Sequence, residues 1–287
     1  LPGCLTGRRY ERGCVEGVVV SAEAFLEFGE DIFRAAPIRF VQLTQFGERG
    51  LELAGSPLFQ RVRFLSFKGG QIPFQLAEWG EFFVSNQLTN LVGLDLSRNS
   101  FSLTCLTDAK PLQNLKILGL ENCNLRYENI QELIQWPGLE QIEELYLSGN
   151  DIGDRGARAL FNSERIQNLR ILDLSRNQLT GDSGYAVGGS KNVSKLEHLD
   201  LSYNENLRQG AEGLETSDTL HSLVSLHVRN CKISREVIAG LTSRFEEQLE
   251  RGRWRSELTR RVAGLFCSQR YQPRRWKHGI SNGVPSE

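Results

Sequence analysis

Hydrophobic residues recur along most of this chain in one pattern, Leu-x-x-Leu-x-Leu followed by a polar Asn or Cys and a further aliphatic residue. It reads LVGLDLSRNSF from Leu91, LKILGLENCNL from Leu115, IEELYLSGNDI from Ile142, LRILDLSRNQL from Leu169, LEHLDLSYNENL from Leu196 and LVSLHVRNCKI from Leu223. Two weaker copies, IRFVQLTQF from Ile38 and VRFLSFKGGQI from Val62, precede these. Successive starts lie 24, 29, 24, 27, 27, 27 and 27 residues apart. A period sustained in register over eight copies defines a repeat architecture and overrides the two-domain expectation that 287 residues would otherwise raise.

The Leu-x-Leu alternation is a short strand with one buried face, and one strand per repeat stacks into a parallel sheet at about 4.8 Å per step. The intervening x positions are expected to face solvent. After each strand the backbone turns without a strand partner, so its N–H and C=O groups need partners from elsewhere. Asn99, Asn150, Asn177 and Asn204 stand where a buried side-chain amide supplies them. Cys123 and Cys231 occupy the same place and read as substitutes in that ladder, not as catalytic or metal-binding thiols. Residues 152–160 and 179–187 each read as a turn followed by an amphipathic helical turn, and residues 127–135 as a helix turning Ile130, Leu133 and Ile134 inward. The glycines are punctuation, since neither GxGxxG nor GxxxxGK[ST] stands at a strand-to-helix junction.

These copies resemble leucine-rich repeats of the ribonuclease-inhibitor-like class. The likeness covers about residues 38–245 and implies an α/β fold, a leucine-rich repeat solenoid or horseshoe of about eight repeats with a concave parallel sheet and convex helices. The flanks are similar to a narrower group. Arg12-Gly13-Cys14-Val15-Glu16-Gly17-Val18, Ala24-Phe25-Leu26, Phe33-Arg34-Ala35-Ala36-Pro37-Ile38-Arg39, the IGDxGAxAL helix from Ile152 and Leu241-x-x-Arg244-Phe245 resemble bacterial leucine-rich repeat proteins carrying an N-terminal repeat-companion domain. The resemblance implies that such a domain precedes the segment beginning here. A chain that opens Leu1-Pro2-Gly3 and contains no Met fits a processed or partial chain.

A repeat array exposes a hydrophobic face at each end and needs caps. Residues 1–37 are expected to form an N-terminal segment and helical cap, with Ser21 as N-cap of a helix to about Arg34 and Phe25, Phe28, Gly29, Ile32 and Phe33 on one face. The repeats occupy 38–234. A capping helix follows over 235–250, with Val237, Ile238, Leu241 and Phe245 inward, and 251–287 forms a basic, aromatic-containing tail, helical and then disordered.

Strand register lines up the candidate chemistry. Asp173, Asp200 and His227 fall side by side on three successive strands. Adjacent carboxylates beside an imidazole invite a metal ion or an acid–base set. Leu-Asp-Leu-Ser is equally the idiom of such repeats, its Asp and Ser bonding neighbouring strands and water, and that reading is preferred: no catalytic residue, metal or cofactor is assigned. Ser175 and Ser202 lie nearby without a nucleophile elbow or an oxyanion-hole loop, which rejects a hydrolase triad. The mixed concave surface of Arg98, Glu121, Tyr146, Asp173, Arg176, Asp200, Tyr203, His227 and Arg229 suits a protein partner, because Tyr and Arg are enriched at binding hot spots. An alternative is a GTPase-activating-type horseshoe that presents Arg98 or Arg176 to a bound nucleotidase.

The net charge of −1 conceals an asymmetry: residues 250–287 carry nine Lys or Arg against three Glu and are +6, leaving −7 on the rest. Arg253, Trp254, Arg260, Arg261, Arg274, Arg275 and Trp276 are candidate anion contacts, because cations attract phosphates and aromatic rings stack on bases. A nucleic-acid-associated protein acting through residues 251–277 is therefore the second alternative, against the simpler reading of a solvated extension of the cap. The six cysteines, at 4, 14, 105, 123, 231 and 267, form no CxxC pair and read as reduced structural thiols of a cytoplasmic protein. No apolar run approaches the roughly 18–20 residues needed to span a bilayer. The expected function is a non-catalytic scaffold that binds a protein, of unknown identity, on the concave face.

Overall fold

The computed structural model describes residues 3–11, 13–45, 49–69, 76–100, 102–107 and 109–249. They divide into two units, Leu1–Cys123 and Asn124–Glu287. The first opens with strands that the repeat pattern does not announce. β1 (Gly7–Glu11) and β2 (Cys14–Ser21) make an antiparallel hairpin with a bulge between Arg9 and Tyr10. β2 buries Val18 and Val20 and then pairs in parallel with β3 (Phe40–Thr44). The N-terminal segment thus contributes sheet as well as the anticipated helix. Ser21 ends β2 and caps α1 (Ala22–Ala35), its hydroxyl accepting the Ala24 N–H at 3.1 Å. Phe25, Gly29, Ile32 and Phe33 are buried beneath α1, so the apolar stripe is core.

The rest of the first unit alternates α2 (Gly50–Gly55), β4 (Phe64–Ser66), α3 (Leu76–Val84), β5 (Gly93–Asp95) and β6 (Ile117–Gly119). The strands are parallel, in the register Gln42, Ser66, Asp95, Gly119. What lies between them differs from repeat to repeat. The 29-residue repeat from Val62 holds the nine residues of α3, whereas the described residues of the 24-residue repeat from Leu91 form 3-10 turns at Leu103–Leu106 and Lys110–Leu112. A 3-10 turn rises about 2.0 Å per residue against about 1.5 Å in an α-helix, so fewer residues cover the same span.

The second unit runs α4 (Tyr127–Gln135), β7 (Glu144–Tyr146), α5 (Gly153–Asn162), β8 (Ile171–Asp173), α6 (Gly181–Gly188), β9 (His198–Asp200), α7 (Ala211–Glu215), β10 (Ser225–His227) and α8 (Arg235–Leu249). Its strands are parallel in the register Tyr146, Asp173, Asp200, His227. In α4, Ile130 and Leu133 are buried and Ile134 is half-buried. In α8, Leu241 and Phe245 are buried, Val237 and Ile238 half-buried, and the Arg244 guanidinium bonds the Glu215 and Ser217 carbonyls.

Side-chain ladders replace the strand partner that each turn lacks. The Asn204 amide donates to the Leu174 and Leu201 carbonyls at 3.0 and 2.8 Å, and its oxygen accepts the Asn177 and Leu179 N–H groups at 2.8 and 3.1 Å. Cys123 and Cys231 reproduce the donating half, their thiols reaching the Leu96 and Leu201 carbonyls of the preceding repeat at 3.4 and 3.1 Å. Burial pushes these thiols up to about 12 and about 11, which keeps them protonated and unreactive. A second ladder lies at the opposite bend, where Asn90, Asn114 and Asn168 donate to the Gln60, Thr89 and Glu140 carbonyls at 2.9, 2.8 and 2.7 Å. Each stands immediately before the first leucine of its repeat, so it too is written in the sequence.

Candidate functional site

The residue two positions after each strand's Leu-x-Leu is held in one unusual conformation. Gln45, Gly69, Arg98 and Asn122 in the first unit, and Gly149, Arg176, Tyr203 and Asn230 in the second, all have positive φ, between 51° and 72°. Gly and Asn adopt this left-handed region readily, whereas other L-residues do so at about 1–2 kcal/mol. Strand register alone aligns this column, but hydrophobic periodicity does not encode its backbone angle. The glycines and asparagines within it were the available signal. Arg98, Arg176 and Tyr203 therefore carry functional-looking side chains on backbones that favour Gly, a form of strain that clusters at binding sites.

In the second unit two of these residues touch. The Arg176 guanidinium carbon lies 3.9 Å from the centroid of the Tyr203 ring. The turns themselves are locked by backbone bonds, Arg176 N–H to Ser202 C=O at 2.9 Å and Tyr203 N–H to Arg229 C=O at 2.6 Å. Arg176 and Arg229 are exposed and Tyr203 half-exposed, so three consecutive turns present Arg, Tyr and Arg.

The strand column differs from expectation. Asp95, Asp173 and Asp200 were expected at solvent-facing x positions, yet all are buried. Each folds back on its own chain: Asp95, Asp173 and Asp200 accept the N–H of Ser97, Ser175 and Ser202 at 2.9, 2.9 and 2.8 Å. A short carboxylate satisfies the turn that follows it more cheaply than water does. In register beside Asp200, His227 meets the Ser225 hydroxyl at 3.0 Å, and burial, opposed by Asp200, lowers its pKa from the ordinary imidazole value. Among the described residues no group of three or more His, Cys, Asp or Glu side chains is arranged to hold a metal ion.

The remaining predicted residues are partly committed to internal contacts. Tyr146 donates its hydroxyl to Glu144 at 2.8 Å, and burial pushes the Glu144 carboxyl up to about 7 against that bond. In the first unit Glu121 pairs with Lys68 at 3.1 Å, while Arg98 is exposed. Burial also pushes Asp95 up to about 6, although Lys68 and the Ser97 bonds pull it down. Arg253, Trp254, Arg260, Arg261, Arg274, Arg275 and Trp276 lie outside the described residues.

Residues 142–161 and 165–188, the strand-and-helix units around β7 and β8, match the family model described as Leucine Rich repeat. These are leucine-rich repeats. No curated protein matches the chain. Among solved structures, it is similar to one in the crystal structure of the Rad7 and Elc1 complex in yeast, at 18% identity and TM-score 0.43 over 70% of this chain and 60% of that one. An internalin (inlF) from Listeria monocytogenes gives 16% identity and TM-score 0.41 over 79% of this chain and 78% of that one. The Toll–Spatzle complex of Drosophila gives 12% and 0.47 over 79% of this chain and 29% of that one. This chain therefore spans less than two thirds of the yeast and Drosophila chains. Both units have the expected α/β composition, parallel strands alternating with helices. No helix among the described residues is long and apolar enough to cross a membrane.

Proposed function

We propose that this chain is a non-catalytic protein-interaction scaffold whose leucine-rich repeats engage a protein partner on the strand face, the concave side of the expected horseshoe. The observation that carries the proposal is the strained, exposed column after the strands, above all Arg176 stacked on Tyr203. A rigid sheet that pre-orders an Arg and a Tyr lowers the entropy lost on association.

The test is capture of partners from source cells with the intact chain, followed by mass spectrometry. Replacing Tyr146, Arg176 and Tyr203 together by Ala is expected to cut capture of the principal partner at least tenfold while leaving the circular dichroism spectrum unchanged. Undiminished capture would sink the strand-face assignment. Loss of binding on deletion of 251–287, with a steep salt dependence, would instead favour the nucleic-acid alternative.

A further inference from the structure

In the second unit Arg126, Arg158, Arg165 and Arg170 pair with Asp151, Asp182, Glu140 and Glu197, whereas no described carboxylate pairs with Arg176 or Arg229. The Arg176 guanidinium instead lies 3.9 Å from the Tyr203 ring centroid, on a left-handed backbone of φ 57°. A ring against one face of a guanidinium leaves its in-plane N–H donors available, and their fork matches two oxygens of a carboxylate. The turn carrying Arg229 is joined to Tyr203 by the 2.6 Å backbone bond.

We propose that Arg176, steadied by Tyr203 and assisted by Arg229, is a seat for a single carboxylate of an acidic segment in the protein partner. The inference rests on the protein-binding reading above and names the chemistry of that contact. Local charge favours one carboxylate over a polyphosphate. Buried Asp173 and Asp200 end the strands directly before Arg176 and Tyr203. These acids offset the two arginines, whereas nucleic-acid binding needs a continuous run of uncompensated cations.

The experiment titrates the full chain with a blocked hexaglutamate peptide while following the Arg176 Nε–Hε resonance by NMR, beside a blocked hexalysine peptide and a single-stranded oligonucleotide. Hexaglutamate is expected to shift that resonance, with affinity falling about tenfold in Arg176→Gln and about threefold in Arg229→Gln. Tyr203→Leu, which keeps bulk and loses the stack, is expected to weaken binding several-fold and broaden the Arg176 signal. An acidic peptide held by the cations of residues 251–277 would be indifferent to Arg176→Gln, and that result overturns the proposal. So does tighter binding of hexalysine or of the oligonucleotide at this resonance. Either outcome leaves the strand-face reading to stand or fall on capture of the natural partner by the Ala triple variant.

Discussion

Asn204 shows how one side chain does the work of a missing strand. Fully buried, it donates to carbonyls of two repeats and accepts two N–H groups of the preceding one. Asn204→Ala removes both halves and leaves backbone groups without partners in a dry turn. The expected cost is about 3 kcal/mol, read from urea unfolding. Cysteine at the equivalent 231 keeps only a donor, so Cys231→Ala is expected to cost less. The Asn/Cys column was fully legible in the sequence because spacing alone fixes it. The buried aspartates were not, for an Asp in a strand pattern looks the same whether it faces water or curls onto the N–H two residues ahead. Nor was the Arg176–Tyr203 stack, which depends on a backbone angle that hydrophobic periodicity does not encode.

Between strands, part of the tight packing is backbone against backbone. α6 and the segment around Gly210 meet through Gly181, Gly184 and Gly210, and a Cβ on Gly210 would fall inside the van der Waals radius of the Gly181 carbonyl. Gly213 is similarly confined, with the Tyr185 Cα 2.9 Å from where its Cβ would lie. Gly210→Ala is therefore expected to destabilise by about 2–3 kcal/mol, whereas an exposed control, Gly55→Ala, is expected to be near neutral. Thermal unfolding of the two variants distinguishes these outcomes. Helix existence was readable here, α4 falling on residues 127–135 as the pattern predicts. The hairpin β1–β2 was not, because its valines carry no copy of the leucine spacing. Its trace in the sequence was the β-branched run Val18-Val19-Val20.

At the scale of the whole chain, a buried acid in each unit has its carboxyl pushed above the ordinary range. The Asp95 carboxyl lies at about 6 and that of Glu144 at about 7, both raised chiefly by burial from values of 3.8 and 4.5. A folded state that binds protons more tightly than the unfolded chain is most stable below the unfolded values. That contribution is lost as pH rises from about 4 through 7. Stability is thus expected to decline across this window, and Glu144→Gln to flatten the decline by about 2 kcal/mol, measured by urea unfolding at pH 5 and pH 8. The repeats also differ in length, 24 to 29 residues, without disturbing register in either unit. Length is taken up behind the strands, where the 29-residue repeat from Val62 carries the nine-residue α3 and the 24-residue repeat from Leu91 carries 3-10 turns. An insertion or deletion of a few residues there is consequently silent to whatever reads the strands and the turns after them. Genetic drift in repeat length and selection on the recognised surface can proceed as separate histories in one chain.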